Sequence, residues 1–138
     1  MDTIREITEF RNEKLGMADD WQSFDGWRVV TDDQTVVVGI SNSQSCCESW
    51  GYFNSDDDPQ KHVGAELLRV ERVSEDETKR LVTTIPDMEY GLDSGGAVFV
   101  NIVTDRGTFQ LAAYNSHNGY YGHGAVVISR DLNLYEDV

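Results

Sequence analysis

The sequence predicts an α+β fold, mainly antiparallel β-sheet, with one N-terminal helix and a short helical turn near Ser45. Three observations carry this. Two β-branched runs, Trp27–Thr31 and Thr35–Ile40, flank the short polar stretch Asp32–Gln34, as in a hairpin. Ala97–Thr104 and Thr108–Asn115 flank the turn Asp105-Arg106-Gly107, with Val98, Val100 and Ile102 facing Phe109, Leu111 and Ala113 in apolar alternation. Thr3 followed by Glu6 has capping-box spacing ahead of Ile4, Ile7, Phe10 or Arg11, and Leu15, which predicts a helix over 3–15 stopped at Gly16.

The remaining elements follow in order. Ser45 and Glu48 repeat the capping-box spacing and predict a helical turn there. Residues 54–62 read as a polar loop, with Asp56-Asp57-Asp58 a solvated acidic run ahead of Pro59. The run lacks the spacing and glycine of a calcium loop. Residues 65–73 read as a strand or short helix, 74–79 as a solvent-exposed loop or turn, and 81–85 as a strand ended by Pro86. Residues 125–129 form a last strand, and 131–138 an acidic tail. The chain reads as a single domain over 1–138, with a β-rich body at about 25–130 and no repeat or linker.

The length of 138 residues fits one domain, and 39% hydrophobic with 10% aromatic residues suffices for a core. No run of about 18 apolar residues occurs, so no membrane-spanning helix is predicted. The charged start Met1-Asp2-Thr3-Ile4-Arg5-Glu6 is not a secretory signal, which places the protein in the cytoplasm. With 25 acidic and 11 basic residues the net charge is −14, and that field repels nucleic-acid phosphates. Direct nucleic-acid binding is not expected; solubility or a basic protein partner is. Homo-oligomerisation stays open. Cys46 and Cys47 are adjacent and offer no framework disulfide.

Two segments stand out chemically. In Ser45-Cys46-Cys47-Glu48-Ser49-Trp50-Gly51-Tyr52-Phe53, a helix N-terminus would lower a cysteine pKa or hold an anion. The competing reading makes Cys46 and Cys47 small buried residues and Trp50 core. Residues 114–124 pack His117, His123, Asn115, Asn118, Tyr114, Tyr120, Tyr121 and three glycines together. Glycines let backbone approach a ligand, and tyrosines offer flat faces and hydroxyls. A plain Asn118-Gly119 hairpin turn explains those two residues but not the flanking histidines. Joined, the segments suggest a metal set of His117, His123, Glu48 and one cysteine, though the spacing matches no zinc pattern. A cysteine–histidine–asparagine catalytic group is also conceivable, yet no nucleotide loop, nucleophile elbow or zinc-protease motif supports an enzyme.

Cys46-Cys47-Glu48 with Trp50-Gly51-Tyr52, Val63-Gly64-Ala65, Tyr114-Asn115 and the 117–123 run together resemble an uncharacterised family of small phage and bacterial proteins. The likeness spans roughly residues 35–130 and leaves the N-terminal segment outside. The family has no assigned activity. The resemblance implies a setting, a phage accessory protein that counters host defence by capturing a nucleotide signal or blocking a nucleic-acid-binding protein.

The expectation drawn first is a non-enzymatic binding protein for a small nucleotide-derived ligand. Cys46, Cys47, Glu48, Trp50, Tyr52, Asn115, His117, Asn118, Tyr120, Tyr121 and His123 would line the site, with Arg106 or Arg28 meeting phosphate. No cofactor is expected. The alternatives are an acidic inhibitor that mimics nucleic acid on a basic host protein, and a Cys/His metal protein or enzyme. Carboxylates in a row on one face would favour the inhibitor; scatter would not.

Overall fold

The computed structural model describes residues 2–15, 23–42, 48–56, 58–81, 95–117 and 124–138. Two antiparallel sheets carry the chain. The first contains β1 (Ile4–Glu13), β2 (Phe24–Thr31), β3 (Thr35–Ser41), β8 (Gly124–Ile128) and β9 (Asn133–Asp137), in the order β1-β2-β3-β8-β9. The second contains β4 (Glu48–Asn54), β5 (Leu67–Arg72), β6 (Gly95–Thr104) and β7 (Gly107–His117), in the order β4-β7-β6-β5. Among the described residues the helical elements are a 3-10 turn at Pro59–His62 and α1 (Glu75–Leu81).

Both predicted hairpins are met in the register. Val30 faces Thr35 and Val29 faces Val36 in the first; Val98 faces Ala113 and Ile102 faces Phe109 in the second. One face of each sheet turns toward the other. Ile7, Val29, Val36, Val38, Ile40, Ala125 and Val127 of the first sheet share a buried cluster with Val98, Val100, Ile102, Phe109, Leu111 and Ala113 of the second. This is a β-sandwich core. The outer faces are covered too. Phe99, Ala112 and Tyr114 pack with Val73 and Leu81 on the second sheet, and Phe10, Phe24, Val37 and Val126 cluster on the first.

The predicted N-terminal helix is instead β1, and its residue spacing explains the difference. Buried Ile4, Ile7 and Phe10 recur every three residues, which imitates a helix face. In the strand, a register shift between Ile4 and Glu6 inserts an extra residue and brings both Ile4 and Ile7 to the core. Phe10 then points to the opposite face, three positions on, and joins the outer cluster. Its ring lies across Gly39, where an added Cβ would come 3.1 Å from Phe10 Cζ. Next to Gly39, Gly26 approaches the Val38 carbonyl so closely that a Cβ would stand 2.1 Å from its oxygen. No side chain fits there.

Two further expectations are corrected. Residues 74–79, expected as a loop, open α1. Ser74 Oγ accepts the Glu77 amide at 3.3 Å, three acids fill the first turn, and Lys79 with Arg80 fills the last. The acidic tail is an edge strand, β9, paired with β8 so that Val126 faces Tyr135. Leu132 and Leu134 pack toward the core, while short length and charge keep the edge guarded. The strand over 81–85 and the helical turn at Ser45 fall largely outside the described residues; Leu81 ends α1 and Glu48 already belongs to β4.

Candidate functional site

β4 and β5 lie on opposite edges of the second sheet, so residues 55–66 must cross one end of the β6–β7 hairpin, its turn. That crossing is locked. His62 is 2% exposed, its Nε2 lies 2.9 Å from Asp56 Oδ2, and its ring packs tilted against Phe109 with centroids 4.7 Å apart. Thr104 Oγ1, 3.5 Å from His62 Nδ1, donates to the Gly107 carbonyl at 2.7 Å. Arg106 Nη1 donates to the carbonyls of Lys61 and Val63. Burial alone pushes the Asp56 carboxyl up. The Asp58 amide, His62 and Lys61 outweigh that and hold it below the usual carboxylate range. Asp56 is therefore not part of a solvated acidic run. It is the partner of a buried histidine that sequence reasoning passed over.

The other end of the same sheet is built differently. Glu48 pairs with His117 and Trp50 with Asn115, so the two chemically marked segments are cross-strand neighbours despite their separation in sequence. On the first sheet, Ile40 of β3 pairs with Ala125 of β8. Residues 43–47 link β3 to β4 and residues 118–123 link β7 to β8. Both connections therefore leave and arrive at adjacent points on both sheets. Cys46, Cys47, Asn118, Tyr120, Tyr121 and His123 lie outside the described residues, and Glu48 and His117 are described by backbone position.

Trp50 and Tyr52 sit on the inner face of β4, half-buried against the shared core. Tyr52 reaches across the sandwich, and its hydroxyl donates to Glu9 Oε2 of β1 at 3.0 Å. Glu9 faces Trp27 in the β1–β2 register, and Trp27 is also half-buried against the core. Two residues before Trp27, on the same face, Asp25 Oδ1 accepts the Asn12 amide at 2.9 Å and Asn42 Nδ2 at 3.1 Å. Those bonds fix the chain just before residue 43. Asn12 holds a left-handed φ of 60°, a conformation asparagine tolerates better than most residues. Burial, then the Glu9 carboxylate, push the Tyr52 phenol above its ordinary value. Asp25 adds to the rise and Arg11 opposes it. The end is thus aromatic and locally negative.

Three expected contributors are placed elsewhere or otherwise engaged. Arg106 stands in the hairpin turn, roughly 25–30 Å along the strand from Asn115 at about 3.3 Å per residue. Arg28 lies on the outer face of the first sheet, paired with Glu13 and stacked 4.8 Å above the Phe10 ring. Asn115 is 0% exposed, and its Nδ2 donates to the Val138 carbonyl at 3.2 Å, so it braces the β7 end from within. Trp27, Glu9 and Asp25 were missed from sequence. Glu9 and Asp25 carried no motif, and Glu9 lay in a supposed helix.

Among the described residues no three His, Cys, Asp or Glu side chains gather as a metal site, and no helix is long and apolar enough to cross a membrane. The described carboxylates lie on β1, β2, the β2–β3 turn, Asp56 and Asp58, Glu66 and β5, α1, the β6–β7 turn, Asp131 and β9. Several are ion-paired, such as Asp32 with Arg5 and Glu136 with Arg72.

Fold and site together define a small antiparallel β-sandwich with an aromatic, carboxylate-bearing cluster at one end. Residues 3–127 match the family described as "Domain of unknown function (DUF7448)", and the chain belongs to that family. The match reaches from β1 into β8 and so takes in the N-terminal strand. No curated protein and no solved structure matches the chain.

Proposed function

We propose that this protein is a non-enzymatic, phage-type accessory protein that holds a small nucleotide-derived ligand at the open end of its sandwich. One observation carries the reading: the β3–β4 and β7–β8 connections are anchored side by side on both sheets, Glu48 against His117 and Ile40 against Ala125. Those connections contain the cysteine pair and the tyrosine–histidine run. Connecting segments aimed by a rigid scaffold are where binding residues concentrate. Trp50, Tyr52 and Trp27 supply flat faces for a base beside them. Host-defence antagonism by capture of a nucleotide signal is the setting this reading takes. Acidic mimicry of nucleic acid is the second reading; it rests on the net charge of −14, part of which is already ion-paired within the chain, as Asp32 with Arg5 and Glu136 with Arg72.

The test is mass spectrometry of small molecules released when the purified protein is denatured. A base-containing compound released near one per chain is expected. Release of no such compound from protein purified out of phage-infected cells would count against the reading.

A further inference from the structure

Resting on that reading, the open end also indicates which chemical form of base it accepts. Trp27, Trp50 and Tyr52 all lie on inner faces, packed against the core yet only partly buried. Glu9 stands among them: it is exposed, opposite Trp27 in register, and its Oε2 is 3.0 Å from the Tyr52 hydroxyl. Only one of the two Glu9 oxygens receives that bond. Asp25 lies two residues from Trp27 on the same face. Among the described groups that act on the Tyr52 phenol, the cation Arg11 is set against the carboxylates of Glu9 and Asp25. The two arginines expected to meet phosphate are engaged elsewhere, Arg28 with Glu13 and Phe10, Arg106 with the Lys61 and Val63 carbonyls.

The negative face of an aromatic ring and a nearby carboxylate attract the same thing, a flat positive charge. An anionic group at this position would meet two carboxylates in a partly desolvated setting, where charge interactions exceed those in water. We infer that the cluster of Trp27, Trp50, Tyr52 and Glu9 recognises a heteroaromatic cation, the ring of an N-alkylated base. The ring stacks on indole or phenol faces, and Glu9 neutralises its charge or accepts a ring N–H. Two kinds of nucleotide-derived compound present this chemistry, a pyridinium of the nicotinamide type and an N7-alkylated purine.

Matched pairs of probes isolate the charge. 1-Methylnicotinamide is titrated beside neutral nicotinamide, and 7-methylguanosine beside guanosine, by calorimetry with the intact protein. At least one cationic member is expected to bind tenfold or more tightly than its neutral partner, which equals about 1.4 kcal/mol. Whichever pair shows the gap identifies the source. Glu9→Gln is expected to close most of that gap without lowering the melting temperature, because Glu9 is exposed. Tyr52→Phe keeps the ring, and should preserve the preference for the cation. Equal affinity within both pairs overturns the inference while leaving the open end a ligand site. No binding by any of the four probes also overturns it. If denaturation likewise releases no small molecule, the binding reading itself fails, and the two failures are thereby distinguished. A gap that survives Glu9→Gln removes Glu9 from the account.

Discussion

The two ends of the β6–β7 hairpin make different use of similar residues. At the turn end His62 and Asp56 are committed to each other and Arg106 to two backbone carbonyls, and His62 is almost wholly buried. At the open end Trp27, Trp50 and Tyr52 remain half-buried around Glu9, His117 ends β7, and the segment between β7 and β8 carries His123. Residue type alone therefore says little about role. A buried histidine with a partner at each ring nitrogen has little left for a ligand, whereas partly buried aromatics beside an exposed carboxylate do.

The comparison breaks most sharply at His62. His62→Ala removes a ring packed on Phe109 and leaves Asp56 short of its partner. Destabilisation of roughly 3–5 kcal/mol is expected, by analogy with other large buried side chains. Denaturant unfolding measures it as a lower midpoint at unchanged slope, with ligand capture per folded molecule preserved. A loss under about 1 kcal/mol would mean that the turn end is not locked as described.

Asp56→Asn should cost less, and its cost should depend on pH. The folded carboxyl is held below its ordinary value. Its contribution is thus fully present above the unfolded value of about 3.9 and is lost as pH falls through the lower folded value. The stability gap between wild type and variant, measured by thermal melts from pH 7 to pH 3, should be constant down to about pH 5 and then shrink. A gap that widens on acidification would contradict the assignment.

Arg106→Ala separates the two ends directly. Loss of its bonds to Lys61 and Val63 should lower stability by about 1 kcal/mol. Ligand capture should be unaffected, because the site lies at the far end of the hairpin. Loss of capture in a folded Arg106→Ala protein would restore arginine to the binding site.

Smallest in stability and largest in function are His117→Ala and Tyr121→Ala. Each is expected to keep a melting temperature within a few degrees of wild type and to abolish capture. A tyrosine that merely covered the sheet would instead cost roughly 3–5 kcal/mol on removal. Large falls in melting temperature with capture retained would make the cluster structural.

Much of this was legible in the sequence, and the failures have physical causes. The two hairpins were readable because β-branched alternation and short polar turns are local signals. β1 was not, because a bulge and a second buried face turned a two-residue period into a three-residue one. α1 carried a readable capping box in Ser74 and Glu77 that its polar composition masked. β9 was hidden by acidity, although Leu132 and Leu134 alternate. Of the site, the adjacency of the two marked segments was anticipated, and the pairing of Glu48 with His117 agrees with it. Trp27, Glu9 and Asp25 were not, because only the β1–β2 pairing and the packing of β4 across the sandwich bring Glu9 to Tyr52. His62 and Asp56 looked like a solvated loop because burial there depends on the crossing of the hairpin turn.

The central claim is that the open end, and not the turn end, receives the ligand. Its most direct test is an amide-shift map by NMR, titrating the small-molecule fraction released from denatured protein into fresh folded protein. The account predicts saturable shifts concentrated on Glu9, Trp27, Glu48, Trp50, Tyr52 and His117, with Thr104–Gly107 and His62 unmoved. Shifts centred on the hairpin turn, or no saturable shift anywhere, would contradict it.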